Sequence, residues 1–362
     1  MDEVSGMYEL EFPVPDLTTP DGRGPLLIHG LEGFTDAGHA VRLATAHLLE
    51  TLESDLVASF SADELIDYRS RRPIMTFKAN QYTDYAAPRL ELHRVRDSAD
   101  VPFLLLSGLE PDLKWERFTA SVQAMIEQFD VERTIGLDAI PMAVPHTRPT
   151  GVTAHSGNCE IEGDYQKWDG EISIPGSAAG LLELRLTEHE HPTLGFAVHV
   201  PHYLSQSDYP QAAEKLLECV MENTGLQLPL GELGTAAARV REQIDRQVQG
   251  NEEVTGVVTA LENQYDAYVT AEEQRSSLLA GEADLPSGDE LGAEFERFLA
   301  ERNENPGPSP FEPGFGLDRP RHPRRGPDTG PADPADDQDE HDSRDDDSDD
   351  GDQGGGGPTS GS

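Results

Sequence analysis

Residues 25–50, PLLIHGLEGFTDAGHAVRLATAHLLE, constrain this chain more than any other stretch. Leu26, Leu27 and Ile28 follow Pro25 as a short apolar run, the pattern of a strand covered on both faces. Gly30, Gly33 and Gly38 then permit bends that side chains would obstruct. Thr35 or Asp36 can cap a helix. Ala37, Ala40, Val41, Ala44 and Leu48 recur at helical spacing and give that helix one apolar face. A buried strand, a glycine turn and a helix open an α/β unit. Ligands of open α/β sheets gather at such turns, so the search for a site starts here.

The rest of the pattern extends the unit. Residues 55–60 read as a second strand, and the order strand, helix, strand implies a right-handed crossover in a parallel sheet. Residues 90–95 alternate with period two, as in a strand exposed on one face. Residues 101–106 form a buried strand. A helix follows from about Lys114, with Phe118, Val122, Met125, Ile126 and Phe129 as its core stripe. Strands are expected again at 134–140 and 195–200, and helices at 177–188 and 211–223. Residues 150–175, rich in glycine and polar groups, read as an excursion.

The character changes after residue 225. Leu233, Ala237, Val240, Ile244 and Val248 form one helical stripe, and Gly250-Asn251 breaks it. Val254, Val258, Leu261, Tyr265 and Tyr268 form a second, as in a helical hairpin or short coiled coil. Phe295, Phe298 and Leu299 mark a last helix, with Ser287 as its cap. From residue 305 proline, glycine and aspartate dominate, and such a segment cannot bury enough surface to order itself. The expected division is a lead-in (1–24), an α/β domain (25–225), a helical extension (226–304) and a disordered acidic tail (305–362).

The net charge is -42. The tail holds 15 acids and 5 bases, so the first 304 residues carry -32. Such a surface repels nucleic acid and anionic membranes, and neither is expected as a partner. Cys159 and Cys219 stand far apart, which fits a reducing cytosol without a disulfide framework. The N-terminus MDEVSGMYEL lacks the apolar run of a signal peptide. The apolar run at 101–106 is too short to span a bilayer. A cytoplasmic protein is expected.

Five places could carry chemistry. Gly33 and Gly38 have the glycine spacing of a phosphate loop, but His39 and Ala40 stand where lysine and Ser/Thr belong. Glu32 and Asp36 flank the turn and would repel a phosphate, so tight packing, or a cation received by either acid, fits better. In residues 63–73, Asp67, Tyr68, Arg69, Arg71 and Arg72 concentrate charge. They suit an anion site, a subunit contact or an internal salt-bridge cluster. Glu110 and Asp112, with Trp115 after them, would form an acidic pocket with Glu32 and Asp36 if their strands are neighbours. No partner nucleophile accompanies them. His146 and Arg148 lie in a proline-bounded loop. With His155, Cys159, His199 and His202 they suggest zinc, but the spacings match no zinc pattern. The aspartate-rich tail lacks a calcium-loop register. No cofactor, metal or catalytic residue is assigned.

The motifs HGLEGFTDAG (29–38), DELIDYRSRRP (63–73), SGLEPD (107–112) with Trp115, and PHTRP (145–149) together resemble the proteasome assembly chaperone two family, in its actinobacterial branch. LPSGDELGAEFER (285–297) is similar to the close of that branch. The resemblance implies a three-layer α/β fold related to nucleoside phosphorylases and hydrolase-like in its layers. It also implies homo-oligomers, a trimer among the candidates, and a binding or chaperone role without an established reaction. Archaeal and eukaryotic relatives are associated with proteasome subunits, some through a C-terminal hydrophobic-Tyr-X tripeptide. This sequence ends PTSGS, which argues against docking by that route. The competing class is an enzyme acting on a nucleoside or phosphorylated ligand near Gly30, Gly33, Arg69 and Arg148, or an ATP-dependent carboxylate-amine ligase. The missing phosphate lysine argues against the ligase.

Overall fold

The structure, a computed structural model, describes residues 6–163, 165 and 171–278. The expected last helix with Ser287, Phe295, Phe298 and Leu299, the 285–297 motif and the tail at 305–362 lie outside the described residues.

The elements run β1 (Tyr8–Leu10), β2 (Leu26–Glu32), α1 (Ala40–Thr51), β3 (Ser54–Phe60) and the single turn α2 (Ala62–Leu65). A hairpin of β4 (Met75–Lys78) and β5 (Gln81–Tyr85) follows, then β6 (Leu90–Arg96), β7 (Pro102–Leu109) and α3 (Trp115–Gln128). Next come β8 (Arg133–Met142), β9 (Val152–Gly157), α4 (Ala178–Glu188), β10 (Thr193–Pro201) and α5 (Pro210–Thr224). Two helices, α6 (Gly231–Gln249) and α7 (Glu252–Leu278), complete the described chain.

Eight strands form one sheet in the order β1-β3-β6-β7-β2-β8-β10-β9. Its centre, β7-β2-β8-β10, is parallel, and the four outer pairings are antiparallel. The sheet is therefore mixed. β3 does not pair with β2, because the β6-β7 hairpin stands between them. That hairpin is closed by Asp97, whose Oδ1 accepts the amides of Ala99 (2.9 Å) and Val101 (2.8 Å). Its central position also explains β6: Glu91 and His93 are half-buried rather than exposed. Residues 152–157, expected within an excursion, form an edge strand antiparallel to β10.

Alternation along the strands divides the core in two. Ile28, Phe103, Leu105, Ile135, Leu137, Phe196 and Val198 meet α1, α5 and α6 on one face. Leu27, Leu31, Leu104 and Leu106 meet α3 and α4 on the other. All five positions of the α1 stripe are buried, Ala37 in the turn just before it. In α6, Leu233, Ala237 and Ile244 are buried; in α7, Val258 and Leu261 are buried while Val254 and Tyr268 are exposed. No described helix is long and apolar enough to cross a membrane.

Candidate functional site

The parallel strands β2, β7 and β8 end side by side, and the glycine turn after β2 lies at their tips. Gly33 is there because Glu110 is: a Cβ on Gly33 would stand 2.0 Å from Glu110 Oε2 and 2.6 Å from its Cβ. The buried Glu110 carboxylate accepts Phe34 N at Oε2 and Ala178 N at Oε1, both at 2.8 Å. It thus ties the turn to the first residue of α4. Asp36, not Thr35, caps α1: its Oδ1 accepts Val41 N (2.7 Å) and Arg42 N (3.4 Å). Thr35 donates instead to Asp138 Oδ1 at 2.5 Å. Gly38 sits at φ +66 with Tyr209 pressed against it, a backbone state that favours glycine. Gly30 lies on β2 beneath Val41 and Thr45 of α1.

A cleft of about 750 Å³ opens over these tips, lined by Glu32, Phe34, Asp36, Arg42, Arg71 and Leu109 among others. Its bases are already paired. Arg42 meets Asp208 at 2.6 Å, as does His39 at 2.8 Å. Arg71 meets Asp112 at 3.0 Å and donates to the Glu32 carbonyl at 3.2 Å. The Glu32 carboxylate has no hydrogen-bond or ion-pair partner among the described residues. Burial raises its pKa. Burial also pushes Asp36 up to about 6, against the opposing amides of Val41 and Arg42, and Glu32 adds to the rise. The cleft thus holds two acids, Asp36 bonded to backbone amides and Glu32 without an ion-pair partner among the described residues, near Arg42, His39 and Arg71.

The acidic pocket expected from Glu32, Asp36, Glu110 and Asp112 is half assembled. β2 and β7 are neighbours, but Glu110 turns to backbone amides, and Asp112 holds Arg71 and the amide of Asp67. The charged run before the hairpin disperses. Tyr68 donates to Asp63, Asp67 Oδ1 accepts the Arg69 amide at 3.0 Å, and Arg69 is 88% exposed in its side chain. Arg72 is exposed without a partner among the described residues. Trp115 opens α3 and donates from Nε1 to the Pro111 carbonyl at 2.6 Å.

His146 and Arg148 lie away from the cleft residues and clasp the C-terminal helices. His146 is buried, its Nδ1 2.6 Å from the Tyr203 hydroxyl and its Nε2 3.1 Å from Asp245 of α6. Arg148 grips Asp266 of α7. The histidines weighed for zinc separate: His155 bonds Glu183 (2.8 Å) and His199 bonds Thr153 (2.9 Å). Among the described residues no metal-competent group of three converges.

Two features escaped the sequence reading. One is a row of side chains across the sheet: His29, Gly136, Gly195 and His155 are successive cross-strand neighbours, with both imidazoles lying over the glycines. His29 is buried with Nδ1 unpartnered, and burial lowers its pKa to about 4. Alternating residues on β8 and β10 carried that signal. The other is the β4-β5 hairpin, which projects with every residue of both strands exposed. Ile74 just before it is 77% exposed, Phe77 60% and Tyr82 69%. Arginines at either end of a stretch carrying Phe77, Tyr82 and Tyr85 were its signal.

The motifs read from the sequence agree with one protein family. The sequence profile of the PAC2 family matches residues 30–248. The chain belongs to the PAC2 family. A solved protein of unknown function from Mycobacterium tuberculosis, Rv2714, is 59% identical, with a TM-score of 0.72 over 74% of this chain and 93% of that one. A protein of unknown function from Corynebacterium glutamicum is 46% identical, with a TM-score of 0.71 over 73% and 98%. A Mycobacterium tuberculosis proteasome-assembly chaperone homologue, Rv2125, shares the fold at 24% identity and a TM-score of 0.57 over 64% and 99%. No curated protein matches the chain.

Proposed function

We propose that this PAC2 protein is a non-enzymatic, self-associating binder of polypeptides, acting as an assembly chaperone with proteasome subunits as its client class. The observation that carries the reading is the projecting hairpin, an apolar surface with no cover among the described residues. Exposed apolar patches of this kind mark protein contacts. The strand tips support the same reading, because Glu110 and Asp36 hold backbone amides there. Asp36 occupies the N-terminus of α1, where a phosphate would otherwise sit. The fold shared with a proteasome-assembly chaperone homologue supports the client class. A pull-down against proteasome α-subunits tests the link: enrichment over a charge-matched acidic protein is expected, and none removes the client assignment.

One observation favours a second reading. The unpartnered Glu32 in a 750 Å³ cleft suits a small cationic or nucleoside ligand. A thermal-shift panel of nucleosides, phosphate and divalent metals separates the two. A true ligand at 100-fold its dissociation constant adds about 2.7 kcal/mol, and silence across the panel leaves the chaperone reading.

A further inference from the structure

A second cavity lies away from the strand tips. It encloses about 480 Å³ between α5, α6 and the loop after β8, and it shares no lining residue with the cleft. Small-molecule pockets commonly run from about 300 to 1,000 Å³. The sequence of α6 makes the space. Gly234, Ala237 and Ala238 line it, where longer side chains would fill it. Glycine weakens a helix interior. At position 234 it leaves room for a carboxylate from α5, since a Cβ there would stand 2.8 Å from Glu214 Oε1. Gln211 of α5 donates from Nε2 to Thr150 Oγ1 at 2.9 Å and joins the loop to the helix.

Four charged side chains line the cavity: Glu214, Lys215, Glu218 and Arg241. Two of them satisfy each other, because Lys215 Nζ lies 3.1 Å from Glu218 Oε2. The other two stand alone. Neither Glu214 nor Arg241 has a hydrogen-bond or ion-pair partner among the described residues. Burial raises the Glu214 pKa, and the neighbouring Glu218 adds to the rise. One free acid and one free base select a ligand by charge. A simple cation gains nothing from Arg241. A phosphate meets Glu214. A molecule that carries both signs answers both groups, and Pro149, Ala237 and Ala238 suit an uncharged body between them.

The spacing sets its size. The Glu214 carboxylate rests against Gly234, seven residues before Arg241 on α6. Seven residues of α-helix rise about 10 Å, and side chains lean back towards the helix N-terminus. That separation matches a free amino acid or a dipeptide with a hydrogen bond at each end. We propose that this cavity binds a zwitterionic ligand, an α-amino acid or a short peptide, with its ammonium on Glu214 and its carboxylate on Arg241. A guanidinium can hold a carboxylate through two parallel N–H groups. The bound molecule bridges α5 and α6. It therefore fastens the C-terminal helices beside the loop where Arg148 clasps α7. The site is separate from the polypeptide-binding surface proposed above and does not depend on it.

The experiment uses the full chain, titration calorimetry and amide exchange. The probes are the protein amino acids taken singly and L-leucyl-L-leucine, each to millimolar concentration. The tightest binder is repeated as its N-acetyl form and as its C-terminal amide. At least one zwitterion is expected to bind and to slow exchange in α6, and its identity separates a free amino acid from a short peptide. Blocking either end is expected to weaken binding about tenfold. Arg241→Gln should erase the advantage of the zwitterion over its amide and keep its advantage over the N-acetyl form. Glu214→Gln should do the reverse. Both variants are expected to keep the native melt, because Arg241 is exposed and glutamine matches glutamate in size. Silence of every probe with the native chain overturns the site. Binding that both variants retain in full overturns it too.

Discussion

Arg148 grips Asp266 through two parallel hydrogen bonds, Nε to Oδ1 and Nη2 to Oδ2, each 2.7 Å. The fork joins the loop after β8 to α7, across 118 residues of sequence. Thr147 reaches Glu262 at 2.5 Å and His146 reaches Asp245 at 3.1 Å, so three consecutive residues hold both C-terminal helices. Arg148→Lys keeps the charge but cannot make a planar fork. Faster amide exchange is expected through the middle of α7 with exchange in β2 and β8 unchanged. Equal protection in both proteins would show that the clasp does not hold the helix.

Glu110 is expected to matter for stability. Its carboxylate is buried and accepts two backbone amides from segments 144 residues apart in sequence. Glu110→Ala strands both donors and is expected to lower unfolding free energy by about 3 kcal/mol in chemical denaturation. A change below about 1 kcal/mol would contradict the brace.

Gly33 and Glu110 are expected to be coupled. Alanine at 33 drives a methyl group into the Glu110 side chain. Gly33→Ala should destabilise the native background and cost markedly less beside Glu110→Ala, a non-additivity that a double-mutant cycle measures. Strict additivity would place the strain elsewhere.

What the sequence revealed depended on how local the cause was. The α1 stripe and the apolar run of β7 were legible because burial follows a short period, and every α1 stripe position is buried. Sequence order brought Glu110 near Glu32, yet it could not show that the carboxylate turns to the amides of Phe34 and Ala178. His146 and Arg148 stood out, but their partners lie about a hundred residues on. The hairpin was missed for a specific reason. Its turn, Ala79-Asn80, lacks the glycine that usually announces one, and its strands bury neither face.

Asp36 gives the fold a pH signature. Its folded-state pKa is raised by burial to about 6 from 3.8. The stability it favours is complete below about pH 4 and is lost as pH rises through about 6. Asp36→Asn keeps an oxygen for the Val41 amide and removes the ionisation. Below the concentration at which copies associate, the variant should match the native chain at pH 4 and be the more stable at pH 8. Melting curves that stay parallel across that range would contradict the assignment.

The central claim is that this chain works by holding polypeptides, copies of itself first. Light scattering of the purified full chain at micromolar concentration tests that most directly. A molar mass at an integral multiple of 39.5 kDa, two or greater, is predicted. A particle of 39.5 kDa throughout that range would contradict it.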